Sequence, residues 1–553
     1  MPHLTDRFRL AVAQLDPAVG DVAGNLELAR KARAEAAEAG ADLVLFTELF
    51  IAGYPPEDLV LKPRVTEACQ AALSELEAEL GQNDPAVLIG APIRLDHKAR
   101  NSVFLLQHGK ERQRWDKFEL PDYGVFDDSR VFEPGNNEKP YFDLKGLRIG
   151  VAICEDIWFD HVPNAVKDAK ADLLLAINAS PWRRTIHQER RTAFAAWENE
   201  DLPYVFVNQC GAQDELVFDG ASYAWTSRSS HQWLFDGFST GIATITFDPD
   251  QKSFDVSEKD HPPEGLEADY KAATLALGDY VNKNGFSGVV LGLSGGIDSA
   301  LTAAIAVDAL GPERVWCVML PYRYTSSESL EDAKLCASAL GVRYDIIPIE
   351  PGVDALEGML AEQFVGKPAD TTEENVQSRL RGVTLMALSN KFGPMVVTTG
   401  NKSEMAVGYA TLYGDMCGGY NPLKDFYKTE VFQLSSWRNS FNGSGLQGPL
   451  GEVIPERIIS KPPSAELRED QKDEDSLPPY DALDDILRCL VDYEQSVDHI
   501  VERGHDRAVV KRIEHLLYIS EYKRRQSAPG PKIGPRNFGR DRRYPITSRW
   551  RDA

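Results

Sequence analysis

The chain has 553 residues, enough for two or more domains, and 43% of them are hydrophobic, which supports cores of that size. Its formal charge of −25 excludes a nucleic-acid binder unless a local basic patch overrides it, because an acidic surface repels phosphate backbones. Seven cysteines, without a Cys-x-x-Cys pair or other zinc-like spacing, exclude a disulfide framework and point to a reducing compartment. The start runs directly into FRLAVAQLD with no apolar leader, and no apolar run approaches membrane-spanning length, so a cytoplasmic protein is expected.

The first half alternates short apolar runs with amphipathic stretches. RLAVAQL reads as a strand, and NLELARKARAEAAEAG as a helix closed by Gly40. ADLVLFTE, VLIGAPI, SVFLLQ, RIGVAIC, ADLLLAINAS and PYVFVNQ continue as strands, followed by ASYAWTS, WLFDGF and GIATITFD in hairpin-like order. This is an α/β domain with many strands, some of them antiparallel.

Three chemically useful residues follow these strands. Glu48 comes after ADLVLFT, Lys117 lies in RWDKFELPDYGVFDD, and Cys154 ends RIGVAIC. Taken singly, a cysteine after an apolar strand is usually a buried small hydrophobe, and a Glu or Lys at a strand end is usually solvated. Together they supply a thiol nucleophile, a proton carrier and a cation for a tetrahedral oxyanion, which is what amide hydrolysis by cysteine needs. The strings LFTELFIAGYPPED, KFELPDYGVFDDSRVFEPG and GVAICEDIW resemble the glutaminase branch of the nitrilase superfamily. That resemblance implies an α-β-β-α sandwich over residues 1–247, with Cys154 as nucleophile, Glu48 as general base and Lys117 as charge-stabilising partner. It implies that Tyr123 and Ser180 hold glutamine. Where the family often carries a basic residue, six positions after that serine, this chain has Ile186, leaving Arg183 or Arg184 to meet the glutamine α-carboxylate. Asp128 stands where a longer acid is common.

DPDQKSFDVSEKDHPPEG is polar, contains prolines and lacks a period, so residues 248–265 read as a linker. A second α/β series occupies 266–553. YKAATLALGDYVNKNG is a helix, GVVLGL a strand, and strands VWCVMLP, RYDIIPI and PMVVTTG alternate with helices, one of them covering about residues 373–391. That alternation implies a doubly wound parallel sheet. LGLSGGIDSA follows the first strand and opens a helix. Gly295 and Gly296 permit a tight turn that presents N–H groups to an anion, and Ser294 and Ser299 add hydroxyls. Asp298 beside phosphates makes sense if it holds Mg²⁺. There is no G-K-[ST], so this is not a Walker loop.

SGGIDS resembles the loop of the PP-loop ATP pyrophosphatase superfamily, whose members adenylate a substrate oxygen. The later strings NKSE, YGDM, PLKD, YKTEV and KPPSAEL, in one register, are similar to the NAD synthetase family. This implies ATP as substrate, contacted by Gly292, Leu293, Ser294, Gly295, Gly296, Ile297, Asp298, Ser299 and Thr399. Asn375, Glu404 and Lys523 would contact nicotinic acid adenine dinucleotide, and Asp298 and Glu404 would hold Mg²⁺. Asp415, Lys424 and Lys428 are further candidates that a folding role explains equally well. The charged segment 464–480 reads as a solvated loop by composition and as a lid by resemblance. The basic tail reads either as a surface strap or as cations near a phosphate or subunit contact. No prosthetic group is implied, and a homo-oligomer is.

Fusing the halves makes chemical sense, because ammonia is mostly protonated at neutral pH and NH₄⁺ has no lone pair for an adenylate. The expected activity is glutamine-dependent amidation of a nicotinate carboxylate. A nitrilase-type amidase with a nucleotide-sensing domain, or another glutamine-dependent PP-loop amidotransferase, is the alternative.

Overall fold

A computed structural model describes residues 7–95, 98–136, 139–198, 201–469, 471 and 477–552. The chain divides into two units, Met1–Glu264 and Gly265–Ala553.

The first unit is built on two sheets. One has seven strands, in the order Ser253–Asp255, Gly241–Asp248, Phe8–Gln14, Leu43–Leu45, Ala86–Leu95, Lys98–Leu106 and Gln113–Asp116. The other has six: Ser229–Trp233, Tyr223–Thr226, Tyr204–Asn208, Leu173–Asn178, Leu147–Ile153 and Tyr141–Leu144. In each sheet a parallel centre is flanked by antiparallel strands. The period of two decides which side chain goes where. Phe8, Leu10 and Val12 join Ile149, Val151, Leu173 and Leu175 in a core between the sheets. Ala11 and Ala13 point the other way, against Leu26, Ala29, Ala32 and Ala36 of the helix Val22–Glu38. Central strands buried on both faces read as continuous apolar runs, which is why the alternation is faint in the sequence. Helices His161–Asp168 and Ile186–Glu198 cover the second sheet through Val162, Val166 and Phe194. The result is an α-β-β-α sandwich. Asp21 caps the helix Val22–Glu38 by accepting the Gly24 N–H at 2.9 Å, and Gly40 leaves it at φ +69°.

The segment expected as a linker is not wholly irregular. Ser253–Asp255 pairs antiparallel with Gly241–Asp248, extending the sheet past residue 247. Phe254 seals the inter-sheet core, a role its polar neighbours conceal.

The second unit centres on a parallel sheet ordered Arg343–Ile346, Val315–Met319, Val289–Gly292, Met395–Val396. The strand order reverses beside Val289–Gly292, so a crevice opens at its C-terminal end. Helix Ile297–Leu310 leaves from there, and Thr371–Phe392 flanks it, capped by Asp370. Tyr270, Asp308 and Arg438 tie three helices together: the Tyr270 hydroxyl and Arg438 Nε both donate to Asp308 Oδ2 at 2.5 Å. A second cluster gathers Met405, Leu483, Ile486, Ile500, Ile513 and Leu517 under the C-terminal helices. The basic tail packs back on this unit. Lys532 pairs with Asp541, Arg542 with Glu521 at 2.8 Å, and Asp425 accepts the N–H groups of Ile533 and Gly534, each at 2.7 Å. No helix among the described residues is long and apolar enough to cross a membrane.

Candidate functional site

In the first unit Glu48, Lys117 and Cys154 meet. The turn carrying Glu48 follows strand Leu43–Leu45 and lies directly on Gly90, where a Cβ would sit 2.4 Å from Thr47 O. Lys117 follows Gln113–Asp116, with its N–H held by Asn101 O at 2.7 Å. Cys154 ends Leu147–Ile153 at φ +47°, a left-handed conformation that is strained for a residue with a side chain. Asp156 holds this elbow in place by accepting the N–H groups of Phe118 and Glu119 at 2.9 Å and of Ile153 at 3.1 Å. One carboxylate therefore fastens the Lys117 segment to the Cys154 turn.

The charges are dense and dry. Lys117 Nζ donates to Glu48 Oε1 and Asp128 Oδ2, each at 2.9 Å, and Lys117 is 1% exposed. Asn101 Nδ2 donates to Glu48 Oε1 at 2.7 Å, and Ala179 N–H to Glu48 Oε2 at 3.0 Å. Burial disfavours the Lys117 cation, but Asp128 and Glu48 win and hold its pKa well above the ordinary lysine value. Burial, helped by Glu48, pushes the Cys154 thiol well above the usual thiol range against the pull of Lys117. Cys154 at rest is thus a thiol, beside Glu48. Sequence reading named the three residues that meet here; it placed Asp128 only as a departure and did not name Asn101, which a polar residue in a strand does not announce.

Tyr123 and Ser180 flank the nucleophile differently. The half-exposed Tyr123 donates its hydroxyl to Glu155 Oε1 at 2.9 Å, on the residue after Cys154. Ser180 N–H donates to Asn208 Oδ1 at 2.8 Å, and its carbonyl accepts from Arg190 Nη2 at 2.8 Å. Arg190 is itself held by Asp219 at 3.2 and 3.0 Å. Ile186 is buried, 1% exposed, within the helix Ile186–Glu198.

In the second unit a cavity of about 300 Å³ is lined by Gly292 to Ser299, Thr399, Glu404, Asp415 and Lys428. Gly295 sits at φ +81°, and a Cβ there would lie 2.4 Å from Ser329 O, so only glycine fits this loop. Ser294 and Ser299 hydroxyls are 3.1 Å apart, and Ser294 Oγ accepts the Gly296 N–H at 3.2 Å. The loop is folded on its own hydroxyls at the start of helix Ile297–Leu310, where N–H groups and the helix dipole favour an anion. Asp298 and Glu404 share one partner: Lys428 Nζ donates to Asp298 Oδ2 at 2.5 Å and to Glu404 Oε1 at 3.2 Å. Two carboxylates joined by one ammonium form an all-oxygen donor pair of the type Mg²⁺ takes, to be completed by phosphate oxygens. Among the described residues no group of three or more His, Cys, Asp or Glu gathers around a metal position, so the pair would depend on the nucleotide. Asn401 Nδ2 holds Asp298 Oδ1 at 2.8 Å and its Oδ1 caps helix Lys402–Val407.

Asn375 and Lys523, expected to contact the dinucleotide, stand outside the cavity lining, on the segment 408–411. Thr411 Oγ1 donates to Asn375 Oδ1 at 2.9 Å, and Lys523 Nζ to Gly408 O and Ala410 O at 2.8 and 2.7 Å. Lys424 is buried away from the cavity. Sequence reading missed Arg381, which lines the cavity while donating Nε to Leu320 O at 3.0 Å; burial lowers its pKa to about 10. An arginine on a long helix reads as a solvated face, so no local signal marked it. Of the expected lid, residues 464–469, 471 and 477–480 are described and the remainder lies outside the described residues. Glu466 Oε1 accepts from Ser326, Ser329 and Lys461 at 2.9, 2.8 and 3.1 Å, which seats 461–467 on the cavity wall.

Residues 9–251 match the carbon-nitrogen hydrolase family and 269–527 the NAD synthase family. The chain is 50% identical to the glutamine-dependent NAD(+) synthetase of Rhodobacter capsulatus, over 99% of this chain and 100% of that protein. A solved structure of glutamine-dependent NAD+ synthetase from Acinetobacter baumannii, in complex with adenosine diphosphate, is 40% identical, with TM-score 0.78 over 99% of this chain and 100% of that one. A glutamine-dependent NAD(+) synthetase from Cytophaga hutchinsonii, 22% identical, has the same fold, with TM-score 0.82 over 98% of each chain.

Proposed function

The chain belongs to the glutamine-dependent NAD(+) synthetase family, and from that premise we propose how its residues divide the work. The first unit releases ammonia from glutamine, and the second uses ATP to amidate the nicotinate carboxylate of the deamido dinucleotide. The observation that carries this reading is the convergence of Glu48, Lys117 and Cys154 in one unit and of the glycine loop with Asp298 and Glu404 in the other.

Cys154 Sγ attacks the glutamine amide carbon while Glu48 takes the thiol proton. A C–S bond forms and the carbonyl becomes an oxyanion, which Lys117 stabilises. Glu48 returns the proton to the leaving nitrogen, and NH₃ departs as the thioester forms. Water, deprotonated by Glu48, then hydrolyses the thioester to glutamate. The thiol is held neutral at rest by burial, so proton transfer and attack are coupled. Lys117 stays charged throughout because it lies between two acids.

In the second unit, the backbone of Gly292 to Ser299 and the hydroxyls of Ser294 and Ser299 receive the ATP phosphates, and Thr399, which lines the same cavity, contacts the nucleotide. The substrate carboxylate attacks the α-phosphorus, pyrophosphate leaves, and NH₃ displaces AMP from the adenylate to give NAD. Asp298 and Glu404, once Lys428 yields them, would hold Mg²⁺, which would neutralise phosphate charge. Asn375, Glu404 and Lys523 contact the dinucleotide, Glu404 from the cavity lining and the other two from outside it. Self-association and residence in a reducing cytoplasm belong to the same proposal, and seven cysteines of which none forms a disulfide support the second.

Cys154→Ala tests the division of labour. Glutamine-dependent NAD formation is expected to vanish, while ammonium still yields NAD. Loss of both in a folded variant would sink the proposal.

A further inference from the structure

The buried acids of the first unit mostly answer to a cation or a hydroxyl. Glu48 and Asp128 share Lys117, Asp219 is held by Arg190, and Glu155 takes the Tyr123 hydroxyl. Asp156 differs. It is 0% exposed, and among the described residues three backbone N–H groups meet it instead.

Its two oxygens have different duties. Oδ2 accepts the Ile153 N–H at 3.1 Å. That bond alone is an ordinary device, an acid inside a helical turn reaching back to the residue that opens it. Oδ1 accepts the Phe118 and Glu119 N–H groups, each at 2.9 Å, and no helix start calls for that. The segment it reaches is fixed without it: Lys117 N–H donates to Asn101 O at 2.7 Å, and Lys117 O accepts the Gly135 N–H at 2.8 Å. The Lys117 segment is therefore the anchor, and the Cys154 turn is what Asp156 holds. That turn needs holding, because Cys154 sits at φ +47°.

A carboxylate can accept all three N–H groups as charge-assisted bonds. Protonation turns one oxygen into a hydroxyl, a weaker acceptor with a hydrogen of its own to place. On Oδ1 that would spoil two bonds and on Oδ2 one, so Oδ2 takes the proton and the Ile153 tie is lost. Burial pushes the Asp156 carboxyl up to about 7, against the pull of its N–H partners and the Lys117 charge. The other ionisable neighbours are Cys154 and Glu155 on its own turn, Lys117 and Glu119 on the anchor, Glu48 and Asp128 around Lys117, and His161, whose ring stacks on Phe118 at 3.9 Å.

We propose that Asp156 is a positioning residue for the nucleophile: as a carboxylate it keeps the Cys154 turn in attacking geometry, and a proton on Oδ2 releases that turn and silences amide hydrolysis. The inference rests on the first unit being a glutaminase.

Asp156→Asn in the full-length protein tests it, because the amide sets a permanent NH₂ group where the acid would carry its proton. At alkaline pH, kcat for glutamine hydrolysis should fall about 10- to 100-fold, with KM within about threefold, since the reacting groups are misplaced and the substrate contacts are not removed. Wild-type kcat should step down as pH falls through about 7, and the residual activity of Asp156→Asn should lack that step. NAD formation from ammonium by the variant reports that the chain is folded. A second measurement needs no variant. In the wild-type protein, amide hydrogen exchange corrected for its intrinsic pH dependence should show the Ile153 N–H losing protection between about pH 8 and 6, while Phe118 and Glu119 keep theirs. An unchanged step in Asp156→Asn, full kcat in that variant, or constant protection at Ile153 would overturn the proposal. Failure of the glutaminase reading looks different: the wild-type protein would then hydrolyse no glutamine at any pH, whatever the exchange at Ile153.

Discussion

Lys117 shows what a single residue does here. It is a buried cation shared by two buried acids, and each acid is tolerable only because of it. Lys117→Met leaves Glu48 and Asp128 facing each other in a dry pocket. The expected cost is about 3–5 kcal/mol of stability in the first unit, with glutamine hydrolysis reduced about 100-fold or more. Denaturant unfolding and glutamate release measure the two; a stable variant with full activity would refute the shared-cation account. Glu48, Lys117 and Cys154 were legible because each stands in a local string that a strand end delivers to the site. Asp128 Oδ2 is 2.9 Å from Lys117 only because the Asp127–Phe132 turn folds back, with Phe132 N–H on Asp128 O at 2.9 Å. No sequence period reports such a fold-back.

At the scale of elements, the strand Val289–Gly292, the glycine loop and the helix Ile297–Leu310 act as one device. The strand aims it, the glycines let the backbone approach, and the helix N-terminus supplies partial positive charge. Gly295→Ala forces a Cβ to within 2.4 Å of Ser329 O, a backbone atom that cannot rotate away, at a φ of +81°. ATP-dependent NAD formation is expected to drop about 30-fold or more, the equivalent of about 2 kcal/mol of backbone strain. Glutamine hydrolysis by the first unit should persist. A pyrophosphate-release assay with ammonium as nitrogen source reads the loss directly.

The largest scale is the folded unit against its unfolded chain. Burial lowers the His187 imidazole to about 4, although Asp219 Oδ2 lies 3.3 Å away, because Arg190 and His261 oppose the proton. Burial likewise takes His231 to about 4, with Arg191 and His261 adding to it. An unfolded histidine takes a proton near about 6.5. The unfolded chain thus binds protons that the folded unit refuses until about pH 4. Stability of the first unit should therefore fall as pH drops from about 6.5 to 4. Thermal unfolding across that window, in the wild-type protein and in His187→Phe and His231→Phe variants, measures it. A slope unaltered by both substitutions would mean that the two rings are not buried neutral.

By itself the sequence marked the two α/β series, helices over residues 299–310 and about 373–391, the glycine loop and the three residues at strand ends. Those properties are local: apolar period, caps, glycine spacing and short strings with few alternatives. Tertiary structure alone decided the rest. It placed Ser253–Asp255 on a sheet edge inside an expected linker, put one lysine between Asp298 and Glu404, and stood Asn375 and Lys523 outside the cavity lining. It also buried Ile186 within its helix. Ion pairs between residues more than a hundred positions apart follow from how elements pack in three dimensions, and composition and period carry no record of that packing.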